Sequence, residues 1–330
     1  MQYRTFGNTD LKVSEIGFGA WAIGGNAKVG DTAIGWGKVD DEVSKKAIKA
    51  ALDAGINFFD TADFYGLGHS ESILGEVLPA GEGAIIATKV GHRNIDEKIV
   101  LDYSKRYILQ ACEESLRRLR RETIDYYQLH SARMNHLEDG ECIEAMELLK
   151  QQGKIRYWGL SLNTFYPGAE ADYLMDKSLG QGFQLVFNLI NQKAIGVMKK
   201  AKEKGYGVIA RMPLQFGLLT GKFSPNTAFA KDDHRSFRLT PEIIEETLGI
   251  LQNKIWPVAE QEGMSKTQLA LSFILSFPEV STIIPGIRTP EHVVQNTEGL
   301  KPLTKENVAF LHSLSDTDWK PVVDMMEKQG

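Results

Sequence analysis

Residues 84–89 read AIIATK, an apolar run that ends on a charged side chain. A run of this length, bounded by turn-forming residues, is typical of a strand that is buried on both faces of a sheet. Two more runs follow the same plan, namely FFD at residues 58–60 and YYQLH at residues 126–130. Each of the three ends on a titratable group, so the sequence predicts a buried sheet with titratable groups along one edge.

Similar runs recur between residue 15 and about residue 300, and amphipathic stretches separate them. Helical periodicity follows Asp40 and Ser104, for example, with apolar residues spaced to bury one face. Eight runs qualify as strands, at residues 16–19, 57–60, 84–89, 126–130, 155–161, 185–187, 207–211 and 282–285. Eight strands with intervening helices predict an α/β protein with a closed (β/α)8 barrel, the TIM-barrel architecture.

The segment before the first run predicts a β-hairpin. Residues 3–6 and 11–13 flank the turn-rich sequence GNTD of residues 7–10. We expect this hairpin to close the floor of the barrel. The chain has no Ser- or Pro-rich linker and no low-complexity tract, so residues 1–330 are predicted to form one domain.

Composition excludes several classes of partner. The net charge of -5 comes from 43 acidic and 38 basic residues scattered through the chain, so no basic field attracts nucleic acid or an anionic membrane. The amino terminus lacks a signal-like apolar core, and no stretch reaches the roughly 20 apolar residues of a membrane span. Cys112 and Cys142 lie in predicted helices without CxxC spacing, which argues against disulfides and metal sites. We expect a cytoplasmic protein.

Four side chains suited to carbonyl reduction lie at or just past predicted strand ends: Asp60, Tyr65, Lys89 and His130. Alone, each is more often structural, as a turn cap, a loop aromatic, a snorkelling lysine or a histidine at the core edge. In a parallel barrel the carboxyl ends of the strands carry the chemistry. Their convergence on one rim therefore predicts an enzyme.

Two long connections follow the first and seventh predicted strands, at residues 21–38 and 213–238. Long connections in a compact domain are usually lids or binding loops. The tail after Leu314 either folds over the same rim or packs as a terminal segment.

The chain resembles the aldo-keto reductases, in the bacterial branch related to sugar reductases and potassium-channel β subunits. The resemblance covers nearly the whole chain and rests on IGFGAW at residues 16–21, GINFFDTADFYG at 55–66, SESILG at 70–75, IDYYQLH at 124–130 and IPGIR at 284–288. It implies reversible hydride transfer between a nicotinamide cofactor and a carbonyl group. Tyr65 is then the general acid, Lys89 lowers its pKa, Asp60 holds Lys89, and His130 orients the carbonyl oxygen.

The resemblance also implies where the cofactor binds. No GxGxxG follows the first strand, so a Rossmann site is disfavoured and the cofactor is expected across the barrel rim. Ser161 and Gln184 would hold the nicotinamide carboxamide. Many members read Ser-Asn where this chain has a leucine between Ser161 and Asn163, so the role of Asn163 stays open. Arg211 stands where many relatives have an aromatic residue, and it either stacks on the nicotinamide or forms a rim ion pair.

The far end of the cofactor is expected near residues 286–292. Thr289 is predicted to cap a helix that starts at Pro290, whose free amides favour an anion. Arg288 adds a charge, although relatives often carry an arginine at the position of His292. This predicts NADPH, with NADH possible. The other predicted cofactor contacts are Gly19, Ala20, Trp21, Pro213, Leu214, Gly217, Leu218, Gly221, Lys222, Pro285, Gly286, Ile287, Gln295 and Asn296.

The substrate pocket is predicted from Trp21, Trp36 and Phe64, which suit small aldehydes, ketones, sugars or steroid-like molecules alike. An NADPH-dependent carbonyl reductase is the first hypothesis. The alternatives are an NADPH-binding regulatory subunit with little turnover, and a sugar dehydrogenase that runs in the reverse direction. We expect a monomer.

Overall fold

The computed structural model describes residues 1–78, 81 and 83–329. Its strands are β1 (Tyr3–Thr5), β2 (Lys12–Ser14), β3 (Phe18–Gly19), β4 (Lys28–Val29), β5 (Thr32–Ala33), β6 (Phe58–Asp60), β7 (Ile85–Val90), β8 (His92–Ile95), β9 (Lys98–Leu101), β10 (Ile124–His130), β11 (Ile155–Ser161), β12 (Gly182–Val186), β13 (Gly207–Arg211) and β14 (Thr282–Ile284).

Helices fill most of the connections. They are α1 (Asp41–Asp53), α2 (His69–Val77), α3 (Lys105–Leu119), α4 (Met134–Asp139), α5 (Glu141–Gln151), α6 (Gly168–Asp176), α7 (Ile195–Glu203), α8 (Arg235–Arg238), α9 (Pro241–Ile250), α10 (Trp256–Glu262), α11 (Lys266–Leu275), α12 (Pro290–Thr297), α13 (Lys305–Ser313) and α14 (Trp319–Gln329). Shorter helical turns span Ala20–Gly24, Tyr65–Gly68, Gln215–Thr220 and Leu251–Ile255.

The eight predicted strands form one parallel sheet in the order β14-β13-β12-β11-β10-β7-β6-β3. Parallel bridges between Ile16 and Ile283 and between Gly19 and Gly286 join its two edges. The Gly19 amide also donates to the carbonyl oxygen of Pro285 at 3.0 Å. These contacts close the sheet, and the predicted (β/α)8 barrel is confirmed.

Strand bounds agree with the sequence patterns to within two residues except at β12. That strand begins at Gly182, three residues before the predicted start at Leu185. Gly182 and Gln184 interrupt the apolar pattern, yet every residue of the strand is buried. A prediction from local hydropathy therefore starts this strand too late, because Gln184 is polar but its side chain meets a buried partner, Asp60.

Side-chain caps fix the starts of the two predicted helices. The Asp40 carboxylate accepts from the amides of Glu42 and Val43 at the start of α1, and the Ser104 hydroxyl accepts from Tyr107 at the start of α3. Cys112 and Cys142 are free and buried, and they lie on α3 and α5.

The amino-terminal hairpin of β1 and β2 closes the floor of the barrel, as predicted. The Phe6 ring is fully buried and meets Tyr126 edge-on, with ring centres 4.9 Å apart. Gly182 and Gly207 leave the space for this ring, because a methyl group on either would lie 2.5 Å from it. The floor is thus a packed apolar plug, and the chemistry is left to the opposite end.

The two long connections meet above the opposite rim. Residues 21–38 contain the short hairpin β4–β5, and Trp36 forms an antiparallel bridge with Asp233 of the second connection. The His234 amide donates to the Gly35 carbonyl oxygen at 3.4 Å. These contacts agree with the expected lid or binding loops.

A further hairpin, β8–β9, follows β7 on this rim and was not predicted. Its residues are polar or exposed along most of their length, so they carry no buried-strand pattern. It matters for the site because His92, its first residue, faces the rim cavity described below.

The tail is a packed terminal helix that also reaches a rim loop. Trp319 and Met326 of α14 are buried, and the sulfur of Met326 accepts from the Gln215 side chain at 3.2 Å. No helix in the described part of the chain is long and apolar enough to cross a membrane.

Candidate active site

A cavity of about 570 Å³ opens at the carboxyl ends of the barrel strands. Asp60 ends β6, His130 ends β10, and Tyr65 begins the helical turn after β6; all three line the cavity. Lys89, near the end of β7, lies wholly buried beneath them. The structure therefore brings the four predicted catalytic residues together.

The Lys89 ammonium group holds this cluster in place. Its nitrogen lies 2.7 Å from an Asp60 carboxylate oxygen, 2.8 Å from the Thr61 carbonyl oxygen and 3.2 Å from the Tyr65 hydroxyl. Three donors thus meet three acceptors, and the buried charge is satisfied. The Tyr65 hydroxyl is fixed at the cavity wall by a cation that cannot leave without breaking two other bonds.

Two glutamines hold the second oxygen of Asp60. The Gln184 amide donates to it at 2.6 Å and the Gln128 amide donates at 3.3 Å. Gln184 was predicted to hold the nicotinamide carboxamide. It does line the cavity, but its amide nitrogen is engaged by Asp60.

The acidity of Tyr65 differs from the sequence expectation. Burial raises its pKa above the ordinary value, and Lys89 only partly offsets this effect. The expected lowering by Lys89 is present, but desolvation of the phenolate outweighs it. Tyr65 therefore keeps its proton at neutral pH.

His130 is a neutral imidazole in this site. Burial, followed by the charges and dipoles of His92, Lys89 and Arg211, lowers its pKa well below the ordinary value. Its Nδ1 atom is buried and has no hydrogen-bond partner among the described residues. The ring centre lies 6.0 Å from that of Tyr65 at an interplanar angle of 85°, so both side chains can face one ligand oxygen.

The sequence analysis missed His92. Its ring centre lies 4.3 Å from that of His130 and 5.4 Å from that of Phe64, and it lines the cavity. Gly91 follows β7 directly, and it is the one local sequence feature that could have drawn attention to His92. Its φ of +137° and the proximity of Tyr103 require glycine there.

The three aromatic residues predicted for the substrate pocket, Trp21, Trp36 and Phe64, all line the cavity, and the unpredicted His234 packs against two of them. The ring of Trp21 stacks with that of Tyr65, at 5.8 Å, and with that of His234, at 4.5 Å. Trp36 meets Trp21 edge-on at 5.4 Å, and Phe64 lines the cavity beside them. His234 comes from an irregular segment whose sequence carries no period, so nothing in the pattern singled it out.

Most predicted cofactor residues line the same cavity: Gly19, Trp21, Ser161, Gln184, Arg211, Pro213, Leu214, Gly217, Lys222, Gly286, Arg288, His292, Gln295 and Asn296. Six do not, namely Ala20, Asn163, Leu218, Gly221, Pro285 and Ile287. Leu218 and Ile287 are wholly buried in the apolar core, and the Pro285 carbonyl closes the barrel against Gly19. Leu218, Pro285 and Ile287 therefore support the cavity wall without lining it.

Asn163 has a local structural role. Its side-chain oxygen accepts from the amides of Phe165 and Tyr166 at 2.8 Å each, so it shapes the loop after β11. Arg211 points into the cavity and donates to the Leu162 carbonyl oxygen at 3.2 Å and to the Thr164 hydroxyl at 3.1 Å. Among the residues that the structure describes, none forms an ion pair with Arg211, so the predicted alternative of a rim ion pair is not observed.

Cationic groups gather at the start of α12. The Thr289 hydroxyl accepts from the His292 amide at 3.4 Å, and Pro290 is the first helical residue, as predicted. Burial, and then Lys222 and Arg288, lower the pKa of His292, which places both cations near its ring. The predicted free amides are not offered here, because Pro290 has no N–H and the His292 amide is held by Thr289. The two cationic side chains make this corner suitable for a phosphate group.

Comparison with known proteins agrees with the site. The model of the Aldo/keto reductase family matches residues 15–316. The chain is 30% identical over 325 residues to the uncharacterized oxidoreductase YqkF of Bacillus subtilis, covering 96% of this chain and 98% of that protein. It is 26% identical to a probable voltage-gated potassium channel subunit beta of Oryza sativa, covering 91% of each.

Solved structures give the same picture. The holo form of aldo-keto reductase AKR11C1 from Bacillus halodurans has a TM-score of 0.76 and 28% identity, covering 96% of each chain. The glycerol dehydrogenase AKR11B4 from Gluconobacter oxydans has a TM-score of 0.76 and 30% identity, covering 99% of this chain and 95% of that one.

Proposed function

We propose, because this chain belongs to the aldo/keto reductase family of oxidoreductases, that it reduces aldehydes or ketones to alcohols with NADPH and uses Tyr65 as the general acid. The observation that carries the proposal is the Tyr65 hydroxyl at the cavity wall, 3.2 Å from the buried ammonium group of Lys89. A phenol held in this way can release a proton to a ligand oxygen while a fixed cation stabilises the phenolate that remains.

The lining residues fit a nicotinamide cofactor. The corner of Lys222, Arg288 and His292 suits phosphate, and the Nε atom of Arg211 is buried with no partner among the described residues. When bound, the reduced cofactor supplies a hydride to the carbonyl carbon. Ser161 and Gln184 would hold its carboxamide, and Arg211 would pack beside its ring.

The protein residues manage the charge that hydride arrival leaves on the carbonyl oxygen. Tyr65 donates its proton to that oxygen, and its raised pKa keeps the proton available at neutral pH. Lys89 stabilises the resulting phenolate, and Asp60 holds Lys89 in position. His130 is neutral, so it can donate a hydrogen bond to the oxygen without adding a competing charge.

The preference for NADPH rests on Arg288 and Lys222. The 2′-phosphate is the group that NADH lacks, and a guanidinium group is well suited to bind it. NADH would bind in the same cavity without contacting the charges of Arg288 and Lys222.

We further propose that residues 1–330 act as one cytoplasmic, monomeric domain on a small carbonyl compound or sugar, without nucleic acid or membrane partners. The net charge of -5 without a basic field supports this view. Oxidation of a sugar or polyol by the same residues is the reverse reaction, since proton and hydride transfer are both reversible.

The test is NADPH oxidation with 4-nitrobenzaldehyde by the native protein and by Tyr65→Phe, with NADPH affinity measured by fluorescence titration. We expect the variant to lose at least about 100-fold in kcat while it still binds NADPH. Tyr3→Phe at the barrel floor is the matched control and should turn over like the native protein. NADPH binding without tyrosine-dependent turnover across a broad carbonyl panel would favour a regulatory subunit instead.

A further inference from the structure

His92 is a second imidazole on the cavity wall, and the proposed chemistry does not use it. Its ring meets that of His130 edge-on at 72° with centres 4.3 Å apart. Its Nδ1 atom is buried and has no hydrogen-bond partner among the described residues. His92 itself lines the cavity, so its imidazole is within reach of a ligand bound there.

The position of His92 is fixed by its neighbours. A methyl group on Gly91 would lie 2.3 Å from the Tyr103 ring, so the backbone passes Tyr103 with no room to shift. The Tyr103 hydroxyl donates to the His130 carbonyl oxygen at 2.5 Å. Tyr103 therefore contacts both the residue before His92 and the backbone of His130, and it holds the two imidazoles in one arrangement.

The hairpin that carries His92 is anchored as well. The Arg93 guanidinium pairs with the Asp102 carboxylate at 2.5 Å and lies over the Tyr107 ring at 4.3 Å. Phe64 packs against the His92 ring, with ring centres 5.4 Å apart. A side chain held in this way is preorganised for binding.

We propose that His92 binds a hydroxyl group on the carbon next to the reacting carbonyl, so that the preferred substrates are α-hydroxy aldehydes and α-hydroxy ketones. This inference rests on the proposed function, in which Tyr65 and His130 hold the carbonyl oxygen. The edge contact between the imidazoles places His92 beside that oxygen, where the neighbouring oxygen of such a substrate lies.

The charge state of His92 supports a hydroxyl rather than an acid. Burial lowers the pKa of His92 to about 4, so the ring is neutral at neutral pH. A neutral imidazole has one donor and one acceptor, and a hydroxyl group has both as well. A carboxylate would only accept, and it would meet no positive charge on this ring.

The test compares matched substrates that differ by one hydroxyl group, lactaldehyde (2-hydroxypropanal) against propanal and hydroxyacetone against acetone. We expect the native protein to favour the hydroxylated member in kcat/KM by about 10-fold or more. His92→Phe keeps the ring packing and removes both hydrogen-bonding atoms, so this ratio should fall to near one. His92→Asn keeps a donor and an acceptor and should restore part of the ratio.

The control is Asn94→Ala, which changes an exposed residue of the same hairpin and should keep the native ratio. If His92→Phe lowers kcat/KM equally for both members of a pair, His92 only positions His130 and the proposal is overturned.

A binding measurement separates this proposal from the proposed function. With NADPH bound, the native protein should bind 1,2-propanediol more tightly than 1-propanol, and His92→Phe should abolish the difference. That result supports the hydroxyl site even if no carbonyl compound is reduced. Equal affinities of the native protein for the two alcohols would overturn it.

Discussion

The ammonium nitrogen of Lys89 and a carboxylate oxygen of Asp60 lie 2.7 Å apart, and the two side chains are only 0% and 3% exposed. Removing one member of a buried ion pair leaves an uncompensated charge in a dry environment. Asp60→Asn should therefore lower the free energy of unfolding by about 3–5 kcal/mol. Urea denaturation at neutral pH measures this loss.

The matched control is the surface pair of Asp10 and Arg156, whose closest oxygen and nitrogen lie 2.8 Å apart. Both side chains are well exposed, and water already screens the pair, so Asp10→Asn should cost no more than about 1 kcal/mol. Equal losses in the two variants would mean that burial does not strengthen the Lys89 pair.

Phe6 should carry much of the stability of the barrel floor. The ring is fully buried. It packs against Tyr126 and fills the space that Gly182 and Gly207 leave open. Phe6→Ala should cost about 3–5 kcal/mol, because the rigid barrel cannot collapse into the cavity left behind. Chemical denaturation provides the value. Gln2→Ala, at an exposed position of the same segment, should change stability by less than about 0.5 kcal/mol.

Arg288 should decide between the two nicotinamide cofactors. Arg288→Ala should weaken NADPH binding by about 10-fold to 100-fold, the value of a hydrogen bond to a charged group, and should leave NADH binding nearly unchanged. Fluorescence titration gives both dissociation constants. Arg117→Ala, which removes an exposed arginine from the end of α3, is the control. Equal weakening of both cofactors by Arg288→Ala would contradict a 2′-phosphate contact.

His234 should make the protein sensitive to acid. Burial, and then Arg238, lower the pKa of His234 to about 3. Below about pH 6.5 the unfolded chain binds a proton at this residue that the folded protein does not, so stability falls as the pH drops from 6.5 towards 3. The difference in proton binding between the folded and unfolded states limits the loss of folding stability from His234 to about 3 kcal/mol between pH 6.5 and pH 4.

Urea denaturation from pH 7 to pH 4 checks the effect, and His234→Phe should show a shallower decline than the native protein. Parallel pH profiles for the two proteins would mean that His234 is not held neutral in the folded state.

The sequence was sufficient for the barrel and for the catalytic cluster because both depend on local patterns. Asp60, Lys89 and His130 end or nearly end apolar runs, and a parallel barrel gathers such strand ends on one rim. Their identity and convergence could therefore be predicted before any contact was known. Thr289 and Pro290 were equally accessible, since helix starts have a local signature.

Other parts of the site depend on contacts that no local pattern encodes. His92 and His234 lie in segments without a buried period, so only the folded rim brings His92 to the cavity and His234 against Trp21. The pKa of Tyr65 rises because the cavity excludes water, and that exclusion is a property of the assembled loops. Gln184 is engaged by Asp60, a residue 124 positions away along the chain.

The seam that joins Ile16 to Ile283 and Gly19 to Gly286 also constrains biosynthesis. A ribosome makes Ile283 and Gly286 long after Ile16 and Gly19, because the residues of each pair are 267 positions apart in the sequence. Contacts between distant residues require the closure of a long loop, which slows their formation. The reaction chamber is therefore completed only after residue 286 has been made, and a chain truncated before residue 283 would lack the wall that seals it.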